Sequence, residues 1–446
     1  MRKYFYIILN ILLVLLTSCE TNQSQTVPSS VAKLTAFSFA AVDSMPGLGK
    51  AVFTVDERLD TGLVWNKDSM LYGTDLHHVV PKFVFAATPG MAALRLGDTT
   101  CTLTGYDTLD FTQSPVYLTV RSADRSNTKV YEIIPTVHQV DPDLYAWTQL
   151  TAGIYPPDDS EQRVVEQGDA FVMLCSNGFE LHAYRSTDGA VWSDAGTPAG
   201  LPAGTNVRQI ISDGTTLYYG QGQTVYTSSD AVTWTAHSVD AEVRTMLVWW
   251  NGKVWALLDR TNGYELAHYD GGTLQPTGLK PEGEFPVSDF ATVCFLSPSG
   301  RERAMIIGGF AENGRSLNTR WNLEYAQFMG EGEGEYRLEE FSIDRPQFTS
   351  LTGSSVVSYN GQLQLFGGID GSVTYLGSDV MLSNDEGLNW SKADSTKYNL
   401  PATCRTRQKQ TAIVRGNYIY LFGGQDARTT YSDVYRGRLN SIDWEK

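Results

Sequence analysis

Arg163, Arg208 and Arg244 each stand at the head of a short apolar run, and Arg405 and Arg407 stand before another. If such runs are equivalent strands of a repeated structure, their first residues face the same end of it. Several guanidiniums there would form a cationic funnel, and a planar guanidinium holds a carboxylate or sulfate through two parallel hydrogen bonds. Asp289, ahead of a fourth run, is placed to offset part of that charge. The competing account pairs each arginine with an acid of a neighbouring repeat and leaves no site.

Other chemistries find less support. His182, His237 and His268 all fall outside the apolar runs, so no metal site is expected and no cofactor is implied. Cys101, Cys175, Cys294 and Cys404 are far apart without a Cys-x-x-Cys pair, which disfavours zinc and reads as buried free thiols. No catalytic residue is assigned. A sugar binder would instead expose aromatic rings; Trp249, Trp250 and Trp321 are the candidates, with core packing the default for each. The segment "FMGEGEGEYRLEE" (328–340) carries carboxylates, but its alternating Glu-Gly lacks the Asp/Asn density of a calcium loop and reads as a solvated excursion.

The elements that must position these residues are short alternating runs broken by Gly, Asn and Asp, the pattern of an all-β chain. From residue 145 a unit of apolar strand, tight turn and apolar strand recurs six times. Examples are "RVVEQGDAFVML" (163–174), "SVVSYNGQLQLFGG" (355–368) and "TAIVRGNYIYLFGG" (411–424). The turn glycines Gly168, Gly214, Gly252, Gly300, Gly361 and Gly416 are spaced 46, 38, 48, 61 and 55 residues apart. Such a period, with about four strands per unit, predicts a six-bladed β-propeller over 145–446. A ring must join its ends or leave a bare sheet edge. "YAWTQL" (145–150) is therefore expected to pair beside "SDVYRGRL" as the last blade's fourth strand; the rival is a strand beginning at Trp444. Ahead of it, runs such as "KAVFTVD" and "VYLTVRSAD" predict a β-sandwich over 31–142.

Several motifs resemble known families. "DTLDFTQSPVYLTVRSADRSNTKVYEIIPTVH" (107–138) resembles the immunoglobulin-like domains near the N-terminus of many Bacteroidota lipoproteins. Gly308-Gly309, Gly367-Gly368 and Gly423-Gly424, followed in two cases by Ser378-Asp379-Val380 and Ser432-Asp433-Val434, resemble the kelch repeat of galactose-oxidase-type propellers. "SNDEGLNW" (383–390) resembles the sialidase Asp-box, with shortened variants at "STDGAVW" (186–192) and "SSDAVTW" (228–234). That likeness implies hairpins between third and fourth strands, with Asp385, Asp188 and Asp230 accepting turn amides. The Arg-Ile-Pro motif of sialidases is absent, and the copper ligands of kelch-type oxidases are not matched.

At the N-terminus, Arg2 and Lys3 precede an apolar stretch from Tyr4 to Leu16 that is too short for a lasting membrane span. The ending Leu16-Thr17-Ser18-Cys19 resembles the bacterial lipoprotein box, which implies cleavage before Cys19, its acylation, and a polar tether over 19–30. Cleavage would move the formal charge from −16 to −18 by removing Arg2 and Lys3. So acidic a chain argues against nucleic acid and against electrostatic attraction to anionic lipid. The expectation is a lipid-anchored envelope protein of the outer membrane, facing the periplasm or the surface, whose propeller binds a glycan or an envelope protein. The alternatives are a sugar-active enzyme resembling the kelch-type sialic-acid mutarotases, working at the axial pore mouth, and a structural scaffold.

Overall fold

The computed structural model describes residues 27–443, except 46, 58–59, 104, 106, 155–160, 327–333, 342–349, 372–373, 376–379 and 399. Cys19, Ser378, Asp379 and Trp444 lie outside the described residues, as does the first part of the Glu-Gly segment. The chain divides into two compact units, Met1–Asp141 and Pro142–Lys446.

The first unit is a two-sheet β-sandwich. Leu34–Phe39 pairs with Pro81–Phe85 in a small sheet. The larger sheet runs in the order Phe53–Asp56, Thr61–Asn66, Thr128–Ile134, Val116–Arg121, Met91–Leu96, Thr99–Thr102. Alternate side chains of both sheets point into one core, where Phe37 meets Phe53 edge-on at 4.8 Å and Phe39 meets Phe111 at 5.0 Å. Tyr131, fully buried, accepts from the Leu34 amide at 2.8 Å and donates to Glu57, which ties the small sheet to the large one.

The second unit is a six-bladed β-propeller. Blade 1 is the antiparallel sheet Glu161–Gln167, Ala170–Ser176, Leu181–Ser186, Ser193–Gly196. Ala170–Ser176 is buried at every position, because a second strand has neighbouring blades on both faces; this is why the sequence reads there as an unbroken apolar run. Blades 4, 5 and 6 begin with Ala291–Leu296, Ser355–Tyr359 and Thr411–Arg415. Blades 2 and 3 share chain. Leu217–Ser228 supplies two strands of blade 2, and Thr235–Trp250 is both the outer strand of blade 2 and the inner strand of blade 3. Gly222, at φ 57°, sits where the register shifts and lets the backbone turn without a loop.

Closure is direct. Tyr145–Thr151 runs antiparallel to Thr430–Leu439, with Trp147 opposite Gly437, and so forms the fourth strand of blade 6. The apolar cores count the joints: six clusters in this unit each draw on two neighbouring blades, including one that joins blade 6 to blade 1 through Phe171, Tyr420 and Phe422. An open stack of six sheets would have five.

Each Gly pair sits at one of these joints. The Gly309 amide donates to Leu351 O at 2.7 Å, and the Gly368 amide donates to Arg407 O at 3.0 Å, both in the following blade. At the last joint Gln162 of blade 1 reaches back instead, its Nε2 donating to Gly424 O at 3.2 Å and Tyr431 O at 2.8 Å.

The three Ser-x-Asp hairpins join third to fourth strands. Asp188 Oδ1 accepts from the amides of Ala190 and Val191 at 2.8 and 2.9 Å, and Asp230 Oδ1 from Val232 and Thr233 at 2.9 and 2.6 Å. In the third, Asp385 Oδ1 accepts from Asn389 at 2.8 Å. Beneath them Trp192, Trp234 and Trp390 donate their indole N–H to the turn carbonyls of Gly189, Ala231 and Gly387.

Two sequence expectations change. Glu335–Glu340, read as part of a solvated excursion, is the outer strand of blade 4, paired with Arg320–Ala326; its exposed outer face made it look like loop. Of the four cysteines expected to be buried and unpaired, all are free, but Cys294 is exposed and Cys101 half-buried.

Candidate functional site

The inner strands of all six blades surround an axial cavity of about 330 Å³. Arg163 and Glu166 of blade 1, Ser212 and Asp213 of blade 2, Trp249 of blade 3, Thr292 of blade 4, Ser354 of blade 5 and Thr411 of blade 6 line it. The inner strands run in one sense about the axis, as the parallel bridge Gln167↔Gly214 between blades 1 and 2 illustrates.

The six residues expected at the pore mouth divide. Arg163 lines the cavity. Its Nε is buried without a hydrogen-bond partner, and no carboxylate pairs with it among the described residues. Burial, reinforced by the charge of Arg208, lowers its pKa to about 10, which leaves it protonated at neutral pH.

Arg208 and Asp289 come together but not as a funnel. Arg208 Nε donates to Asp289 Oδ1 at 2.9 Å, and Arg208 Nη1 donates to Lys409 O at 2.7 Å and Gln162 O at 3.4 Å. One guanidinium from blade 2 therefore ties blades 4, 6 and 1. Lys409 joins in, with Nζ 3.7 Å from Asp289 Oδ2 and paired to Glu161.

The other three lie elsewhere, which corrects the expected funnel. Arg244 is held by Glu312 at 2.7 Å, with Asp259 at 3.8 Å. Arg405 is exposed and lines a separate depression with Pro401, Cys404 and Asp426. Arg407 is buried and gripped by Asp433, its Nη2 donating to Oδ2 at 3.1 Å while Nη1 bonds the other oxygen. Its guanidinium stacks over Tyr431 at 4.1 Å. An acid elsewhere in the fold decides whether each of these charges is free, and sequence spacing does not show that acid.

Of the tryptophan candidates, Trp250 and Trp321 are core residues, whereas Trp249 is 44% exposed and lines the cavity. Sequence reasoning missed Lys409, Glu161, Thr292, Ser354 and Thr411. The last three carry a weak signal, a small hydroxyl residue in or just before an inner strand. No cluster of three or more metal-ligating side chains occurs among the described residues.

Fold and cavity together define a class: an all-β protein with an N-terminal sandwich and a six-bladed propeller enclosing a polar axial pocket. The chain belongs to the DUF6242 family. Residues 141–446 match the DUF6242 beta propeller domain, and residues 23–134 match the domain of unknown function (DUF6242) N-terminal domain. No curated protein matches the sequence. Among solved structures, one titled "Structure of YjhT" aligns at 15% identity with a TM-score of 0.46, over 64% of this chain and 96% of that one.

Proposed function

We propose that this is an envelope-anchored binding protein whose axial cavity takes a sugar carrying a single negative charge, a carboxylate or a sulfate ester, with Arg163 as its counter-ion. The observation that carries the reading is the guanidinium of Arg163, which lines a solvent-open pocket and has no acid partner among the described residues. An uncompensated buried charge is costly, and an anionic ligand repays that cost on binding. Around it, the hydroxyls of Thr292 and Ser354 provide the donors and acceptors that suit a sugar, while Trp249 stands toward the mouth.

Binding is favoured over catalysis because both carboxylates in the lining are engaged. Glu166 Oε1 accepts from Arg415 Nε at 2.7 Å. Asp213 accepts from the Thr216 amide at 2.7 Å and the Tyr218 hydroxyl at 2.7 Å. A general acid or base needs a carboxyl free to exchange its proton with the substrate.

Calorimetric titration with glucuronic acid, N-acetylneuraminic acid, a sulfated monosaccharide and their neutral counterparts tests the reading. The acidic sugars should bind, and Arg163→Gln should weaken them about 10- to 100-fold, the worth of one charge-assisted contact, while the melting temperature holds or rises. Neutral and acidic sugars binding alike, or Arg163→Gln leaving affinity intact, would sink it. The anchor rests on the motif ending at Cys19; Cys19→Ser should move the chain from the membrane to the soluble fraction, and unchanged fractionation would refute it.

A further inference from the structure

We infer that the axial cavity is a blind pocket entered from the face where the inner strands end, and that it recognises the terminal residue of a longer acidic glycan end-on. The rest of the glycan leaves across Trp249, Cys294 and Leu296. This deepens, and rests on, the reading of the cavity as a site for an anionic sugar.

The strand-start end is closed. Arg208 crosses the axis to Asp289, to the Lys409 carbonyl and to the Gln162 carbonyl, and only 4% of its side chain and 14% of that of Asp289 remain exposed. The backbone continues the seal. The Gly353 amide donates to Asp289 O at 2.9 Å and the Lys409 amide to Gly353 O at 2.6 Å, linking blades 4, 5 and 6. Asp289, Gly353 and Lys409 hold left-handed conformations at φ 49°, 64° and 57° to make these links. A non-glycine residue accepts that conformation at a cost of about 1–2 kcal/mol, so the closure is built into the fold.

The opposite end is open. The lining runs on to Glu166, Asp213, Gly214 and Trp249, all within two residues of the ends of their inner strands. One strip toward that end is apolar. Thr292, Cys294 and Leu296 alternate along Ala291–Leu296 and so share one face; Thr292 lines the cavity, Cys294 is exposed and Leu296 is 66% exposed. Cys294 Sγ donates to Trp249 O at 3.4 Å, which places Cys294 beside the Trp249 backbone.

Length then becomes a selection rule. A pocket of about 330 Å³ lies near the small end of ligand sites, and with its floor sealed it admits one sugar residue and no through-running chain. An acid in the middle of a polymer cannot bring its carboxylate to Arg163 without driving one of its flanking residues through the tie made by Arg208. An acid at the chain end can, and its neighbour then rests on Trp249.

Two probe series on the full chain test this, one built on glucuronic acid and one on N-acetylneuraminic acid. Each offers the free sugar and a trisaccharide ending in the acid; the glucuronic series adds a trisaccharide with the acid in the middle. The end-placed trisaccharides should bind about 5- to 10-fold tighter than the free sugars, the worth of one ring contact. The middle-placed one should bind at least about 100-fold more weakly than its end-placed partner. Trp249→Ala should erase the gain from length and leave the free sugars within about twofold. Equal binding of middle- and end-placed acids, or a Trp249→Ala loss equal for short and long probes, overturns the end-on inference while the anionic-sugar reading stands. If no acidic probe of any length binds, that reading falls and takes this one with it.

Discussion

Replacing Asp433 with alanine should destabilise the propeller by about 3–5 kcal/mol, the loss expected when one partner of a buried ion pair is removed. Arg407 keeps only 3% of its side chain exposed, so it cannot recover hydration once its carboxylate is gone. Its remaining bonds, to Gly423 O at 2.8 Å and Arg405 O at 2.9 Å, supply dipoles but no charge. Tyr435, whose hydroxyl donates to Asp433 at 3.2 Å, loses its acceptor as well. Removing both charges with Arg407→Leu and Asp433→Leu together should cost less than Asp433→Ala alone, because no ion is then stranded. Urea unfolding followed by tryptophan fluorescence reads the right unit, since nine of the ten tryptophans lie beyond Asp141. A single-mutant loss below about 1 kcal/mol would show that water reaches Arg407 and that the pair is not a buried one.

The contrast between Arg407 and Arg163 shows what the sequence made legible. Both stand at or near the head of an inner strand, and composition treats them alike. The repeat itself was readable because inner and second strands are covered by neighbouring blades on both sides, which writes apolar runs such as Ala170–Ser176 at a regular period. Closure was readable because Trp147 occupies the fourth-strand place that Trp192, Trp234 and Trp390 occupy in their own blades. Charge pairing was not. Asp433 reaches Arg407 from 26 residues away, and Asp289 reaches Arg208 from 81 residues away and two blades round the ring. Which arginine lacks a partner depends on what stands across the axis, and that is set by the angle between blades. The same geometry bears on the pore: the Arg208 tie spans the strand-start end, where the spacing of the arginines had placed a funnel. Glu335–Glu340 misled for a simpler reason, since an outer strand has neighbours on one edge only and need not be apolar.

Gly367→Ala should cost about 2–5 kcal/mol, whereas Gly416→Ala should cost about 1–2 kcal/mol, although the two glycines share nearly the same φ. Gly367 lies at φ 58° and Gly416 at φ 57°, so an alanine at either site pays the same left-handed penalty. Only their surroundings differ. A Cβ on Gly416, in the turn of blade 6, would meet nothing within 4 Å. On Gly367 it would run into the backbone carbonyl of Arg407 and come within 2.8 Å of Gln410 Nε2, both in the next blade. That carbonyl is also the acceptor for the Gly368 amide, so it cannot retreat without breaking the bond that joins blade 5 to blade 6. The difference between the two variants, measured by the same fluorescence-monitored urea unfolding, isolates the inter-blade contact from the conformational term. Equal losses would mean that the Gly pair is kept for its backbone angle alone; a larger loss at Gly367 would show that the close approach of the next blade requires it.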